Sequence, residues 1–191
     1  MNLICIAVCA RIVLTPLGTV DSSALKAVSH TLSERLPITV EIVSPEPLPS
    51  RAFDPGRNQY NSSLILDDRK ARAGPDSGQS LRLLVTDADL YAEGLSFAFG
   101  QADPPSRSAV ISLFRLREEH SERRANRSRL ERRAAKEALH ELGHLFGLGH
   151  CSNPGCVMFF SNSLADTDRK SADFCAKCRG RLPSGMNRNR R

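Results

Sequence analysis

The stretch HELGHLFGLGHCSNPGCVM, His140 to Met158, carries three of the chain's five histidines and two of its six cysteines within nineteen residues. Core packing gives no reason for that crowding; a bound group does. His140 and His144 stand four residues apart, so on a helix their side chains lie one turn apart on the same face and can grip one ion. Glu141 is rotated by about 100° from His140 and can reach a water beside that ion without being a ligand. Gly147 falls where the helix must stop and turn, which suits a residue tolerating positive φ, and His150 follows three residues later with a third nitrogen. A bare HExxH also occurs on ordinary surface helices, but each further fixed position of HExxHxxGxxH makes a chance match about tenfold rarer.

Three neutral imidazoles with a fourth position left open are the arrangement of a catalytic zinc, where water or a substrate carbonyl can enter. Such an ion brings the pKa of its water toward ~7 and polarises the scissile carbonyl, while Glu141 takes the proton and passes it to the leaving amine. Peptide hydrolysis is the chemistry expected, and imidazole ligands make zinc the first choice of metal.

At 191 residues the chain has the length of one domain with a sizeable core and at most a small appended subdomain. Its 40% apolar and 25% charged residues are those of a folded soluble protein. Five of the six net positive charges come from arginines 179, 181, 188, 190 and 191, so the charge says little about the core. The tail that holds them, RGRLPSGMNRNRR, lacks apolar periodicity and reads as a frayed terminus in preference to a nucleic-acid arm. In MNLICIAVCARIVL no Lys or Arg precedes the apolar run, and Val8 stands where a lipoprotein signal wants a small residue, so a buried first strand is expected there. No run reaches the ~18 apolar residues of a membrane-spanning helix. A cytoplasmic monomer is expected, with its thiols reduced, and clustered cysteines then argue for metal ahead of disulfides. Cys5 and Cys9, on the expected first strand, read instead as small buried apolar residues.

After a strand over about 3–14, Thr19 or Asp21 can cap a helix through Leu36, with Leu25, Val28, Leu32 and Leu36 at helical spacing. ITVEIV, 38–43, reads as a strand. The next forty residues, with SPEPLPS and FDPGRNQYNSS, are mostly loop, and LILDDRK starts a short helix. LRLLVTDADL contains a buried strand, 81–86, while LSFAFGQAD, 95–103, and AVISLFRL, 109–116, read as two more on either side of Pro104 and Pro105. From Ser121 to Phe146 nothing breaks a helix whose apolar face is Leu130, Ala134, Ala138, Leu142 and Leu145; its alternating arginines and glutamates read as a solvated face. This order describes an α/β layer protein with a twisted mixed sheet. Residues 1–147 form the expected N-terminal α/β part, ending in the active-site helix, and 148–191 a C-terminal subdomain of the same catalytic domain.

HELGHLFGLGH followed by Met158 resembles the metzincin metalloproteases, whose motif ends in a Met-turn beneath the zinc. Cys151, Cys156 and Met158 in CSNPGCVM, with Cys175-Ala-Lys-Cys178, narrow the resemblance to the archaemetzincins, a branch with an additional four-cysteine zinc. FDPGRNQYNSS, DLYAEGLSFAFGQAD and AVISLFRL are also similar to that family, so the likeness covers most of the chain up to about residue 180. The resemblance implies a metzincin-like fold: a twisted mixed β-sheet packed with an active-site helix and a backing helix, then a small subdomain with the Met-turn and the four-cysteine site. It implies a zinc metallopeptidase, endo- or aminopeptidase, acting on peptide or protein substrates with two zinc ions per chain. Residue by residue it implies His140, His144 and His150 on the catalytic zinc, Glu141 as general base, Met158 in the turn, and Cys151, Cys156, Cys175 and Cys178 on the structural zinc. Cysteine pairs of short internal spacing in a reducing compartment suit a closed site of four thiolates on their own account. Phe159, Phe160 and Ser161 stand where some metzincins, such as the astacins, carry a tyrosine, so oxyanion stabilisation must come from zinc and backbone groups. Arg57, Gln59 and Tyr60 fit the family's pattern; their residue types point to no chemical step, and they are expected to shape the loop.

In metzincins an extended substrate lies antiparallel to an edge strand above the zinc. LSFAFGQAD is the segment expected to receive it, and Phe159, Phe160, Ser161 and Asn162 are expected to line a pocket for the residue after the scissile bond; an ordinary edge strand and core phenylalanines are the alternatives. A different class of function is a zinc-stabilised binding protein that docks peptide or RNA with little hydrolysis. Against RNA, Glu118, Glu119, Glu122, Glu131 and Glu137 interleave the basic helix residues, and aromatic residues make up only 5% of the chain.

Overall fold

The computed structural model describes residues 11–72, 80–117 and 123–186. Cys5, Cys9, the start of the expected first strand, residues 118 to 122 and arginines 188, 190 and 191 lie outside the described residues. Strands β1 (Arg11–Leu17), β5 (Ser80–Thr86) and β8 (Ser108–Ser112) are short runs rich in Leu, Val and Ile. Nearly all their side chains are buried, as parallel strands covered on both faces must be. With β2 (Thr39–Ile42) and β7 (Gly100–Asp103) they form a five-stranded sheet in the order β2-β1-β5-β8-β7, parallel except for β7, which runs antiparallel to β8 at the edge.

Strand alternation sends Ile12, Leu14, Leu83 and Ile111 to one face, against α1 (Ser22–Arg35) and α3 (Arg123–Leu145), and Leu17, Leu84 and Val110 to the other, against Ile65 and Leu66 of α2 (Ser62–Ala71). Asp21, not Thr19, caps α1, its carboxylate accepting from the backbone N–H groups of Ser23 and Ala24. The apolar stripes expected from helical spacing are buried on both helices: Leu25, Val28 and Leu32 on α1, Leu130, Ala134, Ala138 and Leu142 on α3. The fold is the expected α/β layer architecture, a mixed sheet with α3 along one face and α1 packed beside it.

Four expectations change. AVISLFRL is a strand only as far as Ser112, after which Phe114–Leu116 form a helical turn. FDPGRNQYNSS is not plain loop: it supplies β3 (Phe53–Asp54) and β4 (Gln59–Asn61), which join β6 (Leu90–Tyr91) in a small second sheet. LSFAFGQAD is a strand only over Gly100–Asp103, because the carbonyls of Leu95 and Ser96 are held by Arg57 and Gln59 and cannot join a ladder. The first part of the basic tail is not frayed, since Leu182 and Met186 are buried in the main core just after a helical turn over Ala176–Arg179. Among the described residues no helix is long and apolar enough to cross a membrane.

Candidate active site

Helix α3 delivers His140, Glu141 and His144 to the rim of the sheet beside β7 and ends there, Gly147 adopting φ +85. The backbone N–H of Gly147 donates to His144 O and that of Leu148 to Gly143 O, closing the helix with the turn that brings His150 back over its end. The three histidines point their ligand nitrogens together, all within 4.8 Å of one another. His140 Nδ1 donates to Val157 O and His144 Nδ1 to Leu148 O, both at 2.8 Å; a carbonyl can only accept, so the two Nε2 atoms keep free lone pairs. Those Nε2 atoms lie 3.1 Å apart, close to the about 3.3 Å expected of two nitrogens on one tetrahedral zinc. Burial, with the positive charge of Lys170 next, pushes the His140 pKa down to about 2, and burial also lowers His144 and His150. All three are therefore neutral at pH 7, the form that binds metal.

Met158 is fully buried, and its side chain fills the space a Cβ on Gly143 would need. Glycine at the fourth position of HELGH thus lets the methionine pack directly against the helix that carries the histidines. Glu141 is 5% exposed, with its carboxyl held well above the usual carboxylate range by burial and then by the nearby Glu137 carboxylate, Lys170 opposing.

Cys151, Cys156, Cys175 and Cys178 form a second cluster, their sulfurs also within 4.8 Å of one another. Cys151 and Cys175 Sγ are 3.9 Å apart, against about 3.8 Å for two thiolates on one tetrahedral zinc. The Cys175 backbone N–H donates to Cys156 Sγ at 3.3 Å, and hydrogen bonding led by the Cys178 backbone lowers the Cys175 pKa to about 7. The residues at both clusters fit zinc, by donor set and by spacing.

The sequence profile of peptidase family M54 matches residues 78–184. The chain belongs to peptidase family M54. The archaemetzincin of Pyrococcus furiosus is 41% identical to it, covering 93% of this chain and 94% of its own length. Among solved structures, a zinc-dependent peptidase from Methanocorpusculum labreanum matches with a TM-score of 0.80, and the archaemetzincin of Archaeoglobus fulgidus with 0.76; each is 35% identical and covers 90% of this chain and 99% of its own. This M54 chain is accordingly a zinc-dependent metallopeptidase of the archaemetzincin kind, acting on peptide substrates.

Two charged groups of the M54 site are buried, although the alternating charges of α3 read as a solvated face and Lys170 has no apolar pattern around it. Glu137 and Lys170 are 3% and 0% exposed at the side chain and form an ion pair at 3.0 Å, with Thr167 Oγ1 also donating to Glu137. Glu137 shares a helix face with Glu141 and His144, and that spacing is a signal that its face is not solvated. Lys170, thirty-three residues further on, carries no such signal. Arg133 is likewise buried, at 1% exposed, in a two-pronged contact with Asp168.

Proposed function

We propose that this peptidase cleaves extended peptides at His140, His144 and His150, with Glu141 as general base, and that a second, structural zinc sits on Cys151, Cys156, Cys175 and Cys178. The observation that carries the reading is the convergence of two unprotonated Nε2 atoms and His150 beside a buried carboxyl of raised proton affinity. Zinc, when bound, supplies Lewis-acid polarisation of the scissile carbonyl and makes water a stronger acid. Glu141 takes a proton from the attacking water at a carboxylate oxygen and delivers it to the leaving nitrogen; its raised affinity suits a group that must hold that proton in between. Val157 and Leu148 carbonyls fix the ring planes of His140 and His144, and Met158 supports them from below.

A cleft of about 590 Å³ runs between β7 and the histidines, bordered by Gly100 and Ala102 on one side and His144 and His150 on the other. The Ser112 N–H donates to Phe99 O, so the alternation of an antiparallel ladder turns the backbone groups of Gly100 and Ala102 outward, to the cleft. This supports a substrate strand added along β7. A narrower cavity of about 150 Å³ opens beside Glu141 between Phe97, Phe99 and Phe160, with Glu137 and Ser161 in its wall, and suits the side chain after the scissile bond. We read residues 1–147 and 148–191 as two parts of one catalytic domain, acting as a cytoplasmic monomer without nucleic acid.

The test is mass-spectrometric cleavage of a diverse peptide library by the zinc-loaded protein beside Glu141→Ala at equal zinc content. Cuts made by the unmodified chain alone are expected. Cuts made equally by both would remove Glu141 from its role, and the absence of any cut would favour a zinc-held binding protein over a general peptidase.

A further inference from the structure

The segment FDPGRNQYNSS runs behind the rim that borders the cleft, and its polar side chains grip that rim at several points. Asp54 Oδ1 accepts from the N–H groups of Gly56 and Arg57, and Asn58 takes a left-handed φ of +52, so the loop turns with Arg57 and Gln59 facing the rim. Arg57 donates to the carbonyls of Leu95 and Ser96 at 3.2 and 3.1 Å, to Gln59 Oε1 at 3.0 Å, and stacks on the Tyr91 ring at 4.3 Å. Gln59, 5% exposed, donates to Ser96 O at 3.1 Å and to Asp89 at 3.0 Å. Asp89 in turn holds Arg115 through two bonds of 2.7 and 2.8 Å, and the Arg115 guanidinium lies over the Phe97 ring at 4.7 Å. At the far end Ser62 donates to Tyr91 O and bonds Gln101, which also bonds Ser63.

These bonds have one geometric consequence. Two consecutive carbonyls, Leu95 and Ser96, are turned toward Arg57, which no regular strand allows, so regular strand structure begins only at Gly100. Ala98 N–H is fixed on Leu90 O at 2.8 Å and Phe99 O on Ser112 N–H, which sets the register in which Gly100 meets the cleft.

We propose that Arg57 and Gln59 are positioning residues for substrate: they fix the Leu95–Gly100 rim from behind, so that the open edge of β7 is presented to the peptide in one register. The proposal rests on the reading that substrate lies along β7. Their bonds end on Leu95 and Ser96, whereas Gly100, the residue packed against Glu141, is held in place by its pairing with β8, so their loss should loosen ground-state binding and leave the chemical step alone.

Three variants, Arg57→Ala, Arg57→Lys and Ala102→Pro, are compared by steady-state kinetics on an extended peptide cut by the parent, and by amide hydrogen exchange of residues 95–103. Arg57 is exposed, so its alanine variant is expected to fold with the parent's zinc content. For Arg57→Ala the expectation is faster exchange confined to this segment and a KM raised about tenfold with kcat within about twofold; lysine, a single point donor, recovers part of the loss. Ala102→Pro removes one outward N–H and should raise KM by itself. If Ala102→Pro changes nothing, the peptide does not lie along β7 and the reading of the cleft falls. If Ala102→Pro raises KM but Arg57→Ala does not, or if kcat falls together with thermal stability, only the positioning role is overturned. Unchanged exchange in Arg57→Ala overturns it whatever the kinetics.

Discussion

At Gly100 the backbone of β7 passes so close to Glu141 that a Cβ there would stand 2.7 Å from its carboxylate oxygen and 2.9 Å from Val110 O. The carbonyl belongs to the sheet and cannot yield, so in Gly100→Ala the carboxylate must move. A displacement of about an ångström at a proton-transferring group costs on the order of 10²-fold. We expect kcat to fall by about that factor with zinc content unchanged, measured by steady-state kinetics beside metal analysis; full activity would mean that Glu141 works from another position. Nothing in the sequence around Gly100 announces this, because the contact joins residues forty-one apart. The histidines and Glu141 were legible because helical spacing alone places them.

Between the end of α3 and Met158 a short segment serves both the histidine and the four-cysteine cluster. His150 and Cys151 are joined by one peptide bond, and the Cys151 N–H donates to Met158 O at 2.8 Å, tying the four-cysteine cluster to the support beneath the histidines. Removing two thiolates should therefore unfasten His150. In Cys175→Ser with Cys178→Ser only the histidine cluster remains competent, so chelator competition reads its affinity directly; we expect zinc to bind about 10- to 100-fold more weakly. Equal affinity would make the two clusters independent. Elements with local causes were readable beforehand: α1 and α3 by apolar repeats, the buried strands by short apolar runs. The rim at 95–99 has the local pattern of a strand but not its shape, which is imposed by Arg57 and Gln59, some thirty-seven residues away, and no local pattern records that.

The fold holds the three clustered histidines in the neutral form, His140 buried, His144 half-buried and His150 at the surface of the cleft, and this sets how the zinc-free protein responds to acid. In the unfolded chain each titrates near 6.5, whereas in the folded protein burial lowers all three, His140 to about 2. Below about pH 6.5 the unfolded chain binds more protons than the folded one, so this contribution to stability is fully present above that pH and is lost as pH falls. The raised Glu141 carboxyl acts with the opposite sign, so the test uses zinc-free Glu141→Gln: its urea midpoints should drop between pH 7.5 and 5.0, and zinc at neutral pH should raise them by binding the folded state alone. Identical midpoints would show that the rings gain protons freely in the folded state. The mixed sheet that organises all this also leaves a hazard. An edge able to pair with a passing peptide is able to pair with the edge of another molecule, the usual route to aggregation. β7 has four residues, and Pro104 and Pro105 follow it at once. Its length is then a compromise between capture and self-association, and any mutation that extends the strand past Asp103 trades solubility for grip.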